Sequence, residues 1–179
     1  FEDVAKKQGA TIIGKTPYPL GNAEFSAHLP KIQAAKPEAI YSVTPGADNI
    51  AFLKQYISFG MKKSIPVVQP LHWLPTVKEG GPEIYADIHG GTNLYWELAD
   101  TVPQAKRYVE AHQKRFNMPP GDYGAYAYSG IMEVARGIEL TRSTDPKVVA
   151  DTLRTSREYD HYKGKQWWRA CDGKSFQDM

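Results

Sequence analysis

Residues 30–70 read PKIQAAKPEAIYSVTPGADNIAFLKQYISFGMKKSIPVVQP, and this stretch decides the fold. It runs helix, strand, loop, helix, strand, with turn signals where a parallel α/β unit needs them. The apolar runs Ala39-Ile40-Tyr41 and Pro66-Val67-Val68 are too short for helices and suit buried parallel strands. Between them Asp48 or Asn49 caps a helix on which Ile50, Leu53 and Ile57 recur at helical spacing. Gly60 supplies its C-terminal stop. In open α/β sheets ligands occupy the crevice beyond the carboxyl ends of the strands. The loops 42–47 and 69–74 fall in that place, so they point to a binding site.

The composition is that of an ordinary globular protein. At 179 residues the chain is one large domain or parts of two. The net charge is +2 and the basic residues are scattered, which argues against a nucleic-acid partner. The longest apolar runs fall far short of the ~20 residues of a membrane span, so no direct membrane insertion is expected. Eleven Tyr and four Trp suit either stacking on small ligands or filling a core. The five His show neither H-x-x-x-H nor H-E-x-x-H spacing, and no G-x-G-x-x-G or P-loop string occurs. No metal and no cofactor is therefore expected. Ser42, Asp48 and His72 could be grouped as a triad, but no G-x-S-x-G elbow surrounds Ser42, so an enzyme is not the expectation.

Outward from the central unit, residues 1–9 read as the last turns of an amphipathic helix closed by Gly9, and residues 10–16 as a strand centred on Thr11-Ile12-Ile13. A helix that opens a chain and feeds a parallel strand normally follows another strand, so the chain reads as cut at its ends. The lone Cys171 then says nothing of a disulfide. Residues 16–22 form a loop, and a helix follows to about Ala35 with Phe25, Leu29 and Ile32 on one face. A Pro/Gly-rich segment spans 75–82, and residues 90–96 read as a further strand. From Val102 the pattern turns helical. Residues 103–116 carry Ala105, Tyr108, Val109, His112 and Phe116 on one stripe. Asp122 caps a long helix to about Thr141 with Ala127, Ile131, Val134 and Ile138 inward. Asp145-Pro146 opens a third helix to about Arg154. Residues 166–171 and 174–179 flank Asp172-Gly173, a hairpin signal.

Several strings resemble the branched-chain amino-acid-type, or Leu/Ile/Val-binding, family of periplasmic solute-binding proteins of ABC transporters. They are Ala23-Glu24-Phe25-Ser26 leading into Lys31-Ile32-Gln33-Ala34-Ala35-Lys36-Pro37-Glu38-Ala39-Ile40; Ala125-Tyr126-Ala127-Tyr128; Ser143-Thr144-Asp145-Pro146; and Trp168-Arg169-Ala170-Cys171-Asp172. The resemblance covers essentially the whole chain. It implies an α/β, type I periplasmic-binding-protein fold: a doubly wound parallel sheet in a Rossmann-like lobe, incomplete, with a helical segment from the other lobe. On that template residues 1–96 belong to the C-terminal lobe, 97–162 return to the N-terminal lobe, and 163–179 cross back through the hinge as a terminal hairpin. The implied function is the extracytoplasmic component of an ABC importer, which binds a small solute between two lobes and engages a membrane permease from the periplasm. A ligand-sensing regulator or receptor domain of the same fold is the alternative. The uncovered lobe surface of such a piece is expected to drive self-association.

The resemblance also implies the ligand-binding residues. In amino-acid-binding members the first loop offers an aromatic or hydroxyl group and the second an acid that pairs with the ligand ammonium. Here the first loop gives Ser42, Thr44, Pro45 and Gly46, and the second gives Leu71, His72 and Trp73 with no acid. An unpaired buried ammonium is costly, so a carboxylate or amide metabolite fits better than a conventional amino acid. A slip of a residue or two in this loop would instead bring Glu79 or Asp48 into the site. His72 is either a ligand contact or a loop histidine beside a packed Trp73, and Ser42 and Thr44 either ligand contacts or local caps. Tyr18 reads as rim or surface, Tyr126 and Tyr128 as interhelical packing, and Trp167 and Trp168 as hinge packing.

Overall fold

The computed structural model describes residues 1–177, and the chain separates into two compact units, residues 1–92 and residues 93 onward. The first is built on residues 30–70. Strands β1 (Ile40–Tyr41), β2 (Val67–Gln69) and β3 (His89–Gly90) form a parallel sheet in the order β1-β2-β3. The register pairs Ile40 with Val67 and Val68 with His89. The short β-branched runs satisfy their backbone groups across this ladder and turn one face to a helix. That helix, α3 (Gly46–Ser58), buries Ile50, Phe52, Leu53 and Tyr56 against Phe25, Leu29, Met61, Ile65 and Val67. Each such side chain contributes about 2 kcal/mol by leaving water. Gly60 ends the helix in the left-handed region at φ 72°, where a side chain would be strained.

The helix start differs from the expectation. Pro45 is the N-cap, with neither Asp48 nor Asn49 capping. The Asp48 carboxylate instead accepts the Gly21 amide at 2.9 Å. Gln55, two turns on, accepts the Phe25 amide at 2.8 Å and donates to the Ala23 carbonyl at 2.9 Å. The helix expected after residue 22 begins only at α2 (Leu29–Ala35), where Pro30 sits in the first turn.

Residues 10–16 form no strand. Thr11-Ile12-Ile13 has the right propensity, but a strand exists only with a hydrogen-bonded partner, and Ile13 stays 56% exposed. The expected strand over 90–96 shrinks to β3 and gives way to a 3-10 turn, Trp96–Asp100. The Pro/Gly-rich stretch after β2 is helical: α4 (Leu74–Gly80) and α5 (Pro82–Tyr85) each carry proline in the first turn, where no amide is required. At the chain start α1 (Glu2–Lys7) forms as expected, with Gly9 at φ 84°.

The second unit holds α6 (Pro103–Phe116), α7 (Asp122–Thr141), α8 (Pro146–Thr155) and an antiparallel sheet β4-β5-β6. Asp145 caps α8 as its sequence predicts, accepting the Lys147 and Val148 amides. Asp122 does not cap α7; Gly121 takes that place and Asp122 begins the helix. Strands β5 (Gly164–Arg169) and β6 (Lys174–Gln177) make the expected hairpin, and β4 (Tyr159–His161), which no sequence signal marked, joins β5 on its other edge. The part of the last expected strand over 178–179 lies outside the described residues.

The burial of α7 is the main correction. Ile131 and Val134, expected inside, are 71% and 52% exposed, while Ala125, Glu133 and Gly137 are buried. The four-residue spacing of Ala125, Ser129, Glu133 and Gly137 is itself a helical stripe, small and polar rather than apolar. Glu133 is tolerated there because Trp168 Nε1 donates to it at 2.7 Å, the Tyr159 hydroxyl also donates to it, and Arg136 pairs with it at 3.4 Å. At Gly137 a Cβ would stand 2.6 Å from Val149 Cγ1 and 3.2 Å from Leu153 Cγ, so α8 can lie close only over glycine. Val149 is buried and β-branched and cannot swing clear. Gly137→Ala should therefore destabilise the chain by about 1 kcal/mol, overpacking outweighing the gain in helix propensity. A lower urea midpoint with unchanged slope would show it; a higher midpoint would show that α8 yields freely.

Candidate functional site

The carboxyl ends of β1 and β2 open on a concavity of about 420 Å³ within the first unit. The first loop lines it with Ser42, Thr44, Pro45 and Gly46, together with Val43. The second lines it with Leu71, His72 and Trp73, together with Gln69 and Pro70. The structure thus brings the seven loop residues expected from sequence to bind ligand to one cavity. Sequence reasoning did not single out Asn49, Tyr85, Gln69, Leu20 and Thr76, and it placed Tyr18 at the rim. Asn49 lies one turn inside α3, and Tyr85 lies on a helix that reads as loop, so neither belonged to a loop that the topology rule would mark.

A chain of hydrogen bonds holds the first loop. Ser42 Oγ and Thr44 Oγ1 lie 3.0 Å apart, Asn49 Nδ2 donates to Thr44 Oγ1 at 2.8 Å, and the Tyr85 hydroxyl donates to Asn49 Oδ1 at 2.6 Å. Burial, with Glu79 nearby, pushes the Tyr85 phenol up to about 12, so it remains a donor throughout the physiological range. The Tyr18 hydroxyl donates to the Val43 carbonyl at 3.3 Å. Ser42 is thus engaged with Thr44 and Asp48 with Gly21, rather than with each other.

The second loop is held through His72. Its amide donates to the Gly91 carbonyl at 2.6 Å. Its ring meets the Tyr85 ring edge-on, with centroids 5.9 Å apart. It also packs against Gly90, where a Cβ would stand 2.5 Å from Cδ2 and 2.6 Å from Nε2. Gly90 is required here for space, since its backbone conformation is open to any residue. Burial, reinforced by the nearby His89, lowers the His72 pKa below the usual imidazole value, so the ring is neutral at pH 7. Among the described residues, none of those lining the cavity is Asp, Glu, Lys or Arg. Glu79 and Asp48 are not among the lining residues. Aromatic rings, hydroxyls, amides and aliphatic surface therefore meet there, with one neutral imidazole.

The sequence matches the family described as periplasmic binding protein over residues 1–179. The chain belongs to that family. Its fold agrees. An amino acid ABC transporter substrate-binding protein from Pseudomonas fluorescens Pf-5 superposes with a TM-score of 0.84 at 23% identity, over 97% of this chain and 46% of that one. A leucine-binding protein from Thermotoga maritima gives 0.79 at 22%, over 94% and 47%. A solute-binding protein from R. palustris, solved in complex with 4-hydroxybenzoate, gives 0.79 at 18%, over 99% and 49%. These likenesses establish the type I periplasmic-binding fold expected from sequence, and the chain spans about half the length of each structure. Among curated proteins none matches the chain.

The depressed His72 pKa has a signed consequence. The folded state resists protonating this ring, so stability present above about pH 6.5 is lost as pH falls through the unfolded-state value toward the folded one. His72→Gln should flatten the part of the stability profile between pH 7 and 5 that His72 causes, leaving that due to the similarly buried His161. Imidazole titration by NMR should find His72 below 6.5. A midpoint above 6.5 would mean that an anion faces the ring.

Proposed function

We propose that this chain is part of the extracytoplasmic solute-binding component of an ABC importer and that the cavity at the ends of β1 and β2 is its half of the solute site. The solute is a small carboxylate, amide or amino-acid-like metabolite. The observation that carries this reading is the uncharged lining of the cavity at the topological place where ligands bind in α/β sheets. Ser42, Thr44, Pro45 and Gly46 present hydroxyl and backbone groups to the solute from one side, and Leu71, His72 and Trp73 present rings and apolar surface from the other. An ammonium would find no carboxylate partner among these residues, which favours a solute without a free α-amine. On the family template residues 1–96 serve the C-terminal lobe, residues 97–162 the N-terminal lobe and residues 163–179 the hinge. Solute binding favours the closed arrangement of the lobes, and the closed form engages the permease in the periplasm with no chemical step.

The test is the melting temperature of the full-length protein with benzoate, 4-hydroxybenzoate, 3-methylbutanoate, their amides, leucine and valine. A ligand present at 100 times its dissociation constant stabilises the folded state by about 2.7 kcal/mol, which a melting curve resolves readily. Acids or amides should raise the melting temperature and leucine and valine should not. Stabilisation by leucine alone would mean that an acid elsewhere completes an ordinary amino-acid site.

A further inference from the structure

The last residue of β2 is out of place in a finished core. Gln69 is 4% exposed and faces the same side of the sheet as the fully buried Val67, yet its Nε2 is buried without a hydrogen-bond partner. A buried amide donor left unmet is unfavourable, and native structures keep few of them. Gln69 lines the cavity, beside the loop that leads into α3. That helix adds a second source of donors: its N-cap Pro45 provides no side-chain cap, and Pro45 and Gly46 line the cavity, so the first-turn amides have no intrahelical acceptor. Asp48 in that turn opposes an anion at the helix end, and its carboxylate is directed to the Gly21 amide. Gln69 is therefore the principal donor and the helix end supplements it.

We infer that Gln69 is a specificity-determining residue that donates from Nε2 to an acceptor oxygen of the solute, so the site selects a carboxylate or carbonyl group over an ammonium at this position. The inference rests on the reading of the cavity as the solute site. A carboxylate or carbonyl oxygen offers a lone pair that can accept from the Nε2–H donor, whereas an ammonium has only donors and would leave both groups unmet. Selection of this kind is strong because a site built around a buried polar group loses that bond with the wrong ligand. The orphan donor is then a cost to stability kept for recognition.

The experiment is calorimetric titration of the full-length protein with matched pairs, benzoate against benzylamine and 3-methylbutanoate against 3-methylbutylamine. Wild type should bind the acid of at least one pair ten times more tightly than the amine. Gln69→Met, similar in length and apolar, should weaken that acid at least tenfold, about 1.4 kcal/mol, while the ligand-free melting temperature stays equal or rises. That melting temperature also certifies the fold of the variant. Gln69→Glu, nearly isosteric, should weaken the acid further and shift preference toward the amine. Unchanged acid affinity in Gln69→Met overturns the inference, and so does a wild-type preference for amines, which would mean that the amide presents its oxygen; both leave solute binding intact. If neither member of either pair binds, the solute reading falls and the inference falls with it.

Discussion

The Ser42 amide donates to the Val68 carbonyl at 2.9 Å, one step beyond the Ile40 amide to Pro66 carbonyl bond of the same length. This pairing of two very short parallel strands is the constraint on which the first unit depends. It sets the ends of β1 and β2 level, so the two loops that follow emerge side by side. Two strand residues cannot hold such a register alone. It is held by α3, whose Leu53 and Tyr56 are buried on the sheet and whose Asp48 and Gln55 tie down the preceding loop. A shift of one residue in β1 would exchange Ile40 for Tyr41 on the core face and pull Ser42 away from Thr44.

The same helix then serves the cavity. Its inner face makes the core, and its first turn carries Asn49, which bridges Thr44 of the loop to Tyr85 of α5. Every polar group in that chain has a partner, which stiffens the Ser42–Gly46 side of the cavity before any ligand arrives. The opposite side is built differently. There Gln69 Nε2 and His72 Nε2 are buried and unmet. A finished wall facing an unfinished one is the usual compromise of a binding site: stability is conceded where the ligand will complete the bonding.

The sequence told most about what depends on short-range pattern. The runs around Ile40 and Val67 read as parallel strands and form them, buried on the Val67 face only, with Tyr41 and Val68 exposed on the other, and Asp145-Pro146 opens a helix. The site loops followed from topology without any motif. The failures have one physical root, which is that a local signal is decided by a distant partner. Thr11-Ile12-Ile13 is strand-like and finds no strand to pair with. Pro75 and Pro82 read as breakers but fall in first turns. Tyr159-Asp160-His161 carries no strand signal of its own, and β5 makes it a strand by offering its edge. Gln69 closes a strand that was recognised, yet nothing in a string of residues distinguishes a satisfied glutamine from an orphaned one.

Helix α7 shows the same effect most fully. Periodicity assigns the inside of a helix to its most apolar stripe, because burial of apolar surface normally contributes most to stability. Here the stripe of Ile131 and Val134 is exposed and that of Glu133 and Gly137 is buried. Each element of the buried stripe has a partner. Gly137 lets α8 approach to contact. Glu133 receives the indole of Trp168 and the hydroxyl of Tyr159, and the Arg136 guanidinium lies 3.6 Å from the centre of the Tyr159 ring and donates to Ser156 at 3.0 Å. Burial and the Glu133 carboxylate hold the Tyr159 phenol protonated far above its ordinary range, so the donor stays a donor. Within this chain, which spans about half the length of the structures it matches, β4, β5 and α8 cover the polar and glycine face of α7, and the apolar stripe of Ile131 and Val134 stays open at the surface.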